Sequence, residues 1–210
     1  MRLAAAVPQS APQSRRDGGT AVSVEIVAAV RDLYRAHWGE PSRMARFDSG
    51  EYEIEIYKWN AEANPEGVNL YATVGASAWP SEEQHPSHRN EFFLGLLPAR
   101  DEVASPLAAL GLYSVQQGVR VDHGHTVPAS APLWPGTHMD TFLVLRPIVE
   151  MVPTVEIGGD LHVELLQAIP IFASERAYKA THGPEALLRR WEDRKVQFWD
   201  PDRSPEPAAT

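Results

Sequence analysis

The chain has 210 residues, of which 43% are hydrophobic and 22% charged, enough for one domain with a real core and unlike a disordered or fibrous chain. A formal charge of −9, with 19 Lys and Arg against 28 Asp and Glu, works against a nucleic-acid or membrane-surface ligand, because phosphate binding needs clustered cations; it suits a basic partner instead. The absence of cysteine excludes disulfides, thiolate nucleophiles and Cys-ligated zinc, and favours a reducing cytoplasm.

Met1 to Val7 form a short apolar run closed by Pro8, below the length of a signal-peptide core or a membrane span. Residues 8–20 are Pro, Gln, Ser, Arg and Gly without apolar periodicity, so residues 1–21 read as a disordered leader, 22–203 as the folded domain and 204–210 as a disordered tail. Ser23 is placed to cap a helix in which Ile26, Val27, Val30, Leu33, Tyr34 and Trp38 recur at three- and four-residue steps, and Gly39 with Pro41 ends it. Tyr52, Ile54 and Ile56 alternate with Glu53, Glu55 and Tyr57, and beyond the turn Asn64-Pro65-Glu66-Gly67 the set Val68, Leu70, Ala72 and Val74 alternates again, which predicts two strands. Glu91-Phe92-Phe93-Leu94-Gly95-Leu96-Leu97 is continuously apolar after its first residue and belongs near a sheet centre.

Pro106 opens a helical run through Leu107, Leu110, Tyr113 and Val115 to Gly118, and a Pro- and Gly-rich loop is expected from about Val121 to Thr137. Thr141 to Leu145 and Leu161 to Ile169 read as two further strands, with a turn at Gly158-Gly159-Asp160. Ser174 is placed to cap a short helix ended by Gly183, and Pro184-Glu185 starts another with Leu187, Leu188 and Trp191 on one face. The order is that of a single α/β domain.

No Gly-x-Ser-x-Gly elbow marks a serine nucleophile, and Gly158-Gly159 lacks the glycine, lysine and helix of a phosphate cradle. Histidine is the suggestive residue type. His123 and His125 stand two apart, His138 pairs with Asp140, and His162 and Glu164 share one face of a predicted strand. Two imidazoles and a carboxylate can form the open triad of a divalent metal such as iron, so these residues admit a metal-dependent enzyme. Against it, His162 and Glu164 alternate with Leu161, Val163 and Leu165, as on any strand with one polar face. Trp79 and Trp134 lie in Pro-rich loops outside any periodic pattern, where an exposed ring anchors a partner, and Glu91 and Asp160 are acidic candidates for the same surface.

Several segments resemble the suppressor-of-fused domain family: Gly67 to Ala99, Gly124-His125-Thr126-Val127-Pro128, and above all Leu161 to Ile171 followed by Ser174-Glu175-Arg176 and His182 to Leu188. Trp199-Asp200-Pro201-Asp202-Arg203 is similar to the family's closing acidic and Arg segment, and the likeness spans roughly residues 45–203. The stretch around His85 and His88 does not align with the family, and from its length the chain is expected to lack the additional C-terminal domain of the animal members. The resemblance implies an α+β fold, a mixed and mainly antiparallel β-sheet flanked by α-helices. It also implies action by binding proteins, a transcription factor in animals and often a toxin in bacteria, with no cofactor. Two readings stand: an immunity protein that neutralises a basic toxin domain, and a metal-dependent enzyme on the same fold.

Overall fold

The computed structural model describes residues 14–81, 83, 85, 87–147 and 153–205, with side chains from residue 21 onward. Residues 1–13 and 206–210, which hold most of the expected leader and tail, lie outside the described residues. The elements in chain order are α1 (Ser14–Trp38), β1 (Arg43–Ser49), β2 (Tyr52–Trp59), β3 (Asn69–Val74), β4 (His88–Leu96), α2 (Ala104–Gln117), β5 (Thr126–Pro128), β6 (Met139–Leu145), β7 (Val155–Gly158), β8 (Leu161–Phe172), α3 (Ala173–His182) and α4 (Pro184–Arg194).

The described strands form one mixed sheet in the order β1-β2-β3-β4-β8-β6-β5. The first four are a consecutive antiparallel meander, and β4 then pairs in parallel with β8, His88 opposite His162 and Phe93 opposite Gln167. β6 runs antiparallel along the far half of β8, and β7 covers the same edge at its beginning. The apolar run after Glu91 thus lies at the sheet centre, where both faces are covered.

The helices cover both faces. Ile26, Val30, Tyr34 and Trp38 form a four-residue-step stripe on α1, buried against Tyr57, Trp59, Leu70, Ala72, Phe93 and Val163. Each such side chain contributes roughly 1.5–3 kcal/mol by leaving water. Gly39, at φ +76°, ends α1 in the left-handed region, and its carbonyl accepts the Trp59 indole N–H at 2.9 Å. On the opposite face α2 packs Leu107 and Leu110 against Ile54, Ile56, Tyr71 and Phe92. A Cβ on Gly111 would stand 2.3 Å from Ile54 Cδ1, so glycine there permits the close approach of helix to sheet. Beyond β8, α4 brings Leu187 and Trp191 onto Leu143, Leu145, Ile169 and Ile171.

Local details differ from the sequence reading for identifiable reasons. α1 begins at Ser14, inside the expected leader, and Ser23 is no cap but an interior helical residue whose hydroxyl donates to the Ala78 carbonyl at 2.9 Å. A helix anchored by its packed half propagates backwards at little cost, even through residues without apolar period. β1 lacks a sequence signal because it is an edge strand with no buried residue. The Val121–Thr137 loop includes β5, which is only three residues long. Ser174 lies within the first turn of α3, where Glu175 reaches back to accept the Phe172 backbone N–H at 3.0 Å.

Candidate functional site

The start of β4 carries two consecutive basic residues, His88 and Arg89, and the period of a strand sends them to opposite faces. Different environments meet them. His88 enters a polar seam in which nearly every group is paired. His88 Nδ1 lies 2.7 Å from His162 Nε2, and His162 Nδ1 lies 3.1 Å from the Asp160 carbonyl. A carbonyl only accepts, so the Asp160 contact calls for a proton on His162 Nδ1, and His88 Nε2 lies 3.4 Å from Glu164 Oε2. Burial pulls the His88 pKa down, and Glu164 offsets part of that effect. Glu164 in turn accepts from Arg146 at 2.5 and 3.3 Å, and Arg146 reaches Asp122 at 2.7 Å. Burial would raise the Asp122 carboxyl, but the His123 N–H and the Arg146 and Arg120 guanidiniums outweigh it and hold it below the ordinary value.

Of the metal candidates, the structure gathers His162 and Glu164 with His88, a residue the sequence reading missed because nothing in the sequence shows that β4 and β8 are parallel and in register. His123 and His125 flank this seam without joining it: their Nδ1 atoms accept the Arg146 and Asp122 backbone N–H groups at 3.0 and 3.2 Å. His138 is exposed elsewhere, in a hollow beside Trp134 and Arg203. Among the described residues no group of three or more His, Asp or Glu is placed to hold a metal ion. The reason is local, since the facing imidazole nitrogens of His88 and His162 serve each other and Glu164 serves Arg146.

The partner-facing candidates also separate. Trp134 is 4% exposed, packed in the core with Leu133 and Phe142, because the Pro-rich loop folds back over the α2 face. Glu91 is fully buried and accepts four hydrogen bonds, from the Gly75 and Ser77 N–H groups at 2.9 and 3.0 Å and from the Ser77 and Thr73 hydroxyls, each at 2.5 Å. Burial raises its pKa and these bonds oppose the rise. Glu91 reaches no surface, and Trp134 is not the exposed ring expected but a core side chain. Asp160 is exposed in the β7–β8 turn. Trp79 is half-buried, edge-on to Tyr52 with ring centroids 5.2 Å apart, and its indole N–H has no acceptor among the described residues.

That indole lies in the wall of a groove of about 1140 Å³ on the α1 face, between the helix from Val22 to Arg31 and the end of the sheet formed by Glu53 to Glu55, Val74 and Gly75. Arg89 forms part of its lining and is only 7% exposed. Its hydrogen bonds both leave from Nη1, to the His85 and His88 carbonyls at 3.3 and 3.2 Å, and no described carboxylate pairs with it. Burial lowers its pKa from the ordinary arginine value. The sequence signal for Arg89 is a cation in the polar start, His88 to Glu91, of a central strand whose remainder is apolar. Arg31, also on the groove, pairs with Glu55 at 2.8 Å.

The family model described as "Suppressor of fused protein (SUFU)" matches residues 50–204. Among solved structures, a SUFU homologue from Neisseria gonorrhoeae FA 1090 is similar with TM-score 0.61 and 17% identity, covering 91% of this chain and all of that one. The Sufu–Fu complex contains a chain similar with TM-score 0.60 and 16% identity, covering 85% and 89%. Drosophila Suppressor of Fused is similar with TM-score 0.58 and 14% identity over 85% of this chain, which spans about half (49%) of that protein. No curated protein matches the chain. The mixed, mostly antiparallel sheet with helices on both faces is the fold these structures share. Among the described residues, no helix is long and apolar enough to cross a membrane.

Proposed function

Because the chain belongs to the suppressor of fused protein family, we propose that it works by binding another protein. The observation that carries this reading is the family match over residues 50–204, supported by the shared fold with a chain of the Sufu–Fu complex, in which such a domain is held with a second protein. The partner is a basic toxin domain, and the chain is its immunity protein: the net charge of −9 favours encounter with a cationic surface, which docking then occludes. Co-expression tests this directly. Cells carrying a toxin gene from the same genomic neighbourhood survive when the chain is present and die without it, and the two proteins co-purify. Absence of rescue together with absence of a co-purifying protein would end the reading.

No observation favours the metal-dependent enzyme, whose ligand set the fold does not assemble among the described residues.

A further inference from the structure

The groove beneath α1 gathers in one place three of the buried polar atoms that find no hydrogen-bond partner among the described residues. Among the described residues these are Arg31 Nε, Trp79 Nε1 and Arg89 Nε, all donors without an acceptor. All three are N–H groups, so what these atoms lack is an acceptor, the carboxylates of Glu51, Glu53 and Glu55 lining other parts of the groove. A buried donor left without an acceptor is destabilising, and a buried guanidinium without a counter-charge more so, which makes the arrangement costly for the free protein. A ligand that brings oxygen acceptors removes that cost, and one bearing a carboxylate gives Arg89 the counter-charge that no described residue supplies.

The remaining walls describe the rest of the ligand. Val22 and Val24 on the α1 rim are 42% and 65% exposed, two of the few large apolar side chains left in water. Glu51 and Glu53 stand exposed at the opposite rim. At about 1140 Å³ the groove exceeds the usual span of small-molecule pockets and suits a length of polypeptide, whose backbone carbonyls supply further acceptors. We propose that this groove is the docking site for an extended segment of the partner protein that carries an aspartate or glutamate between apolar residues, with the carboxylate received by Arg89. Basic residues flanking the segment meet Glu51 and Glu53, which reconciles one buried acid with a partner that is basic overall. The inference rests on the protein-binding reading and adds the place and the recognised chemistry.

The test uses the full chain and a phage-displayed library of random linear peptides. Peptides enriched on the wild type share an acidic residue flanked by apolar ones, and replacing that acid by its amide weakens binding roughly tenfold or more. Arg89→Leu binds the acidic and amide peptides equally, while Val24→Asp, at an exposed rim position that leaves folding intact, weakens both alike. Enrichment of peptides without an acid, no enrichment at all, or an acid preference that survives Arg89→Leu overturns the proposal. So does dodecanoate that binds in an Arg89-dependent way where peptides do not, since the groove then serves a free apolar carboxylate. Each of these results leaves protein binding to be judged by the rescue experiment, whose failure in turn does not depend on Arg89.

Discussion

Two arginines of this chain hold side chains withdrawn from water, and their surroundings are opposite. The Arg203 side chain is 6% exposed and meets Glu175, itself 1% exposed, at 2.6 and 2.8 Å. It also donates to the Pro170 carbonyl at 2.9 Å and lies over the rings of Phe172 and Trp191 at 4.8 and 5.5 Å. Glu175 further accepts the Trp191 indole N–H at 3.2 Å, so one carboxylate ties β8, α3, α4 and the C-terminal segment together. Arg89, 7% exposed as a whole residue, has two backbone carbonyls and no described carboxylate. A buried charge with its counter-ion belongs to the architecture. A buried charge without one is tolerated because something else uses it.

The largest expected effect lies on the paired side. Glu175→Ala strands Arg203 in the core and should cost about 3–5 kcal/mol in denaturant unfolding. A loss below about 1 kcal/mol would erase the contrast with Arg89. The double variant Glu175→Leu with Arg203→Met should recover most of that loss, since removing both charges leaves neither unpaired.

The polar seam around His88 should show an intermediate effect, visible as a pH dependence. The folded state holds the His88 pKa below its ordinary value of 6.5. The unfolded chain therefore takes up the proton first, and stability is complete above about pH 6.5 and falls as pH drops below it, by at most about 1.4 kcal/mol per pH unit. The loss levels off once the folded imidazole also protonates. His88→Asn should flatten this part of the curve, and an unchanged slope in that variant would assign the dependence to another group.

The smallest and most discriminating effect is a gain. Arg89→Leu should raise stability by about 1 kcal/mol, because it deletes a buried charge with no described counter-ion, whereas a guanidinium paired with a buried carboxylate, as Arg203 is with Glu175, would make the same change destabilising by about 3 kcal/mol or more. Thermal unfolding of the purified variant decides the sign.

This contrast was half legible in the sequence. Arg203 lies in the closing segment Trp199 to Arg203 that the family resemblance singled out, and Glu175 in the segment after β8. Strands β2, β3 and β8 and helices α1, α2 and α4 announced themselves through period and strands β4 and β6 through continuous apolar runs, because each of the first group carries one regular apolar face and each of the second is buried on both. Trp134 and Glu91 misled for one shared reason: burial depends on what folds over a residue, and neither a Pro-rich loop nor the first residue of an apolar run reveals its cover. Arg89 and His88 were invisible as a site because their surroundings come from α1, β3 and β8, brought alongside by a register no local pattern encodes. The metal reading drew on residue types that do gather, His162 with Glu164, but the sequence could not show that Arg146 and His88 had already claimed them.

The parallel contact between β4 and β8 also sets a schedule for the newborn chain. Strands β1 to β4 pair with their sequence neighbours and can assemble as they are made, whereas His88 waits for His162, 74 positions later. At about 5–20 residues per second, translation leaves the Phe92-Phe93-Leu94 edge without its neighbour for roughly 4–15 s. During that interval the unpaired strand is the most adhesive part of the polypeptide, and the cell's chaperones are its natural cover until synthesis supplies β8.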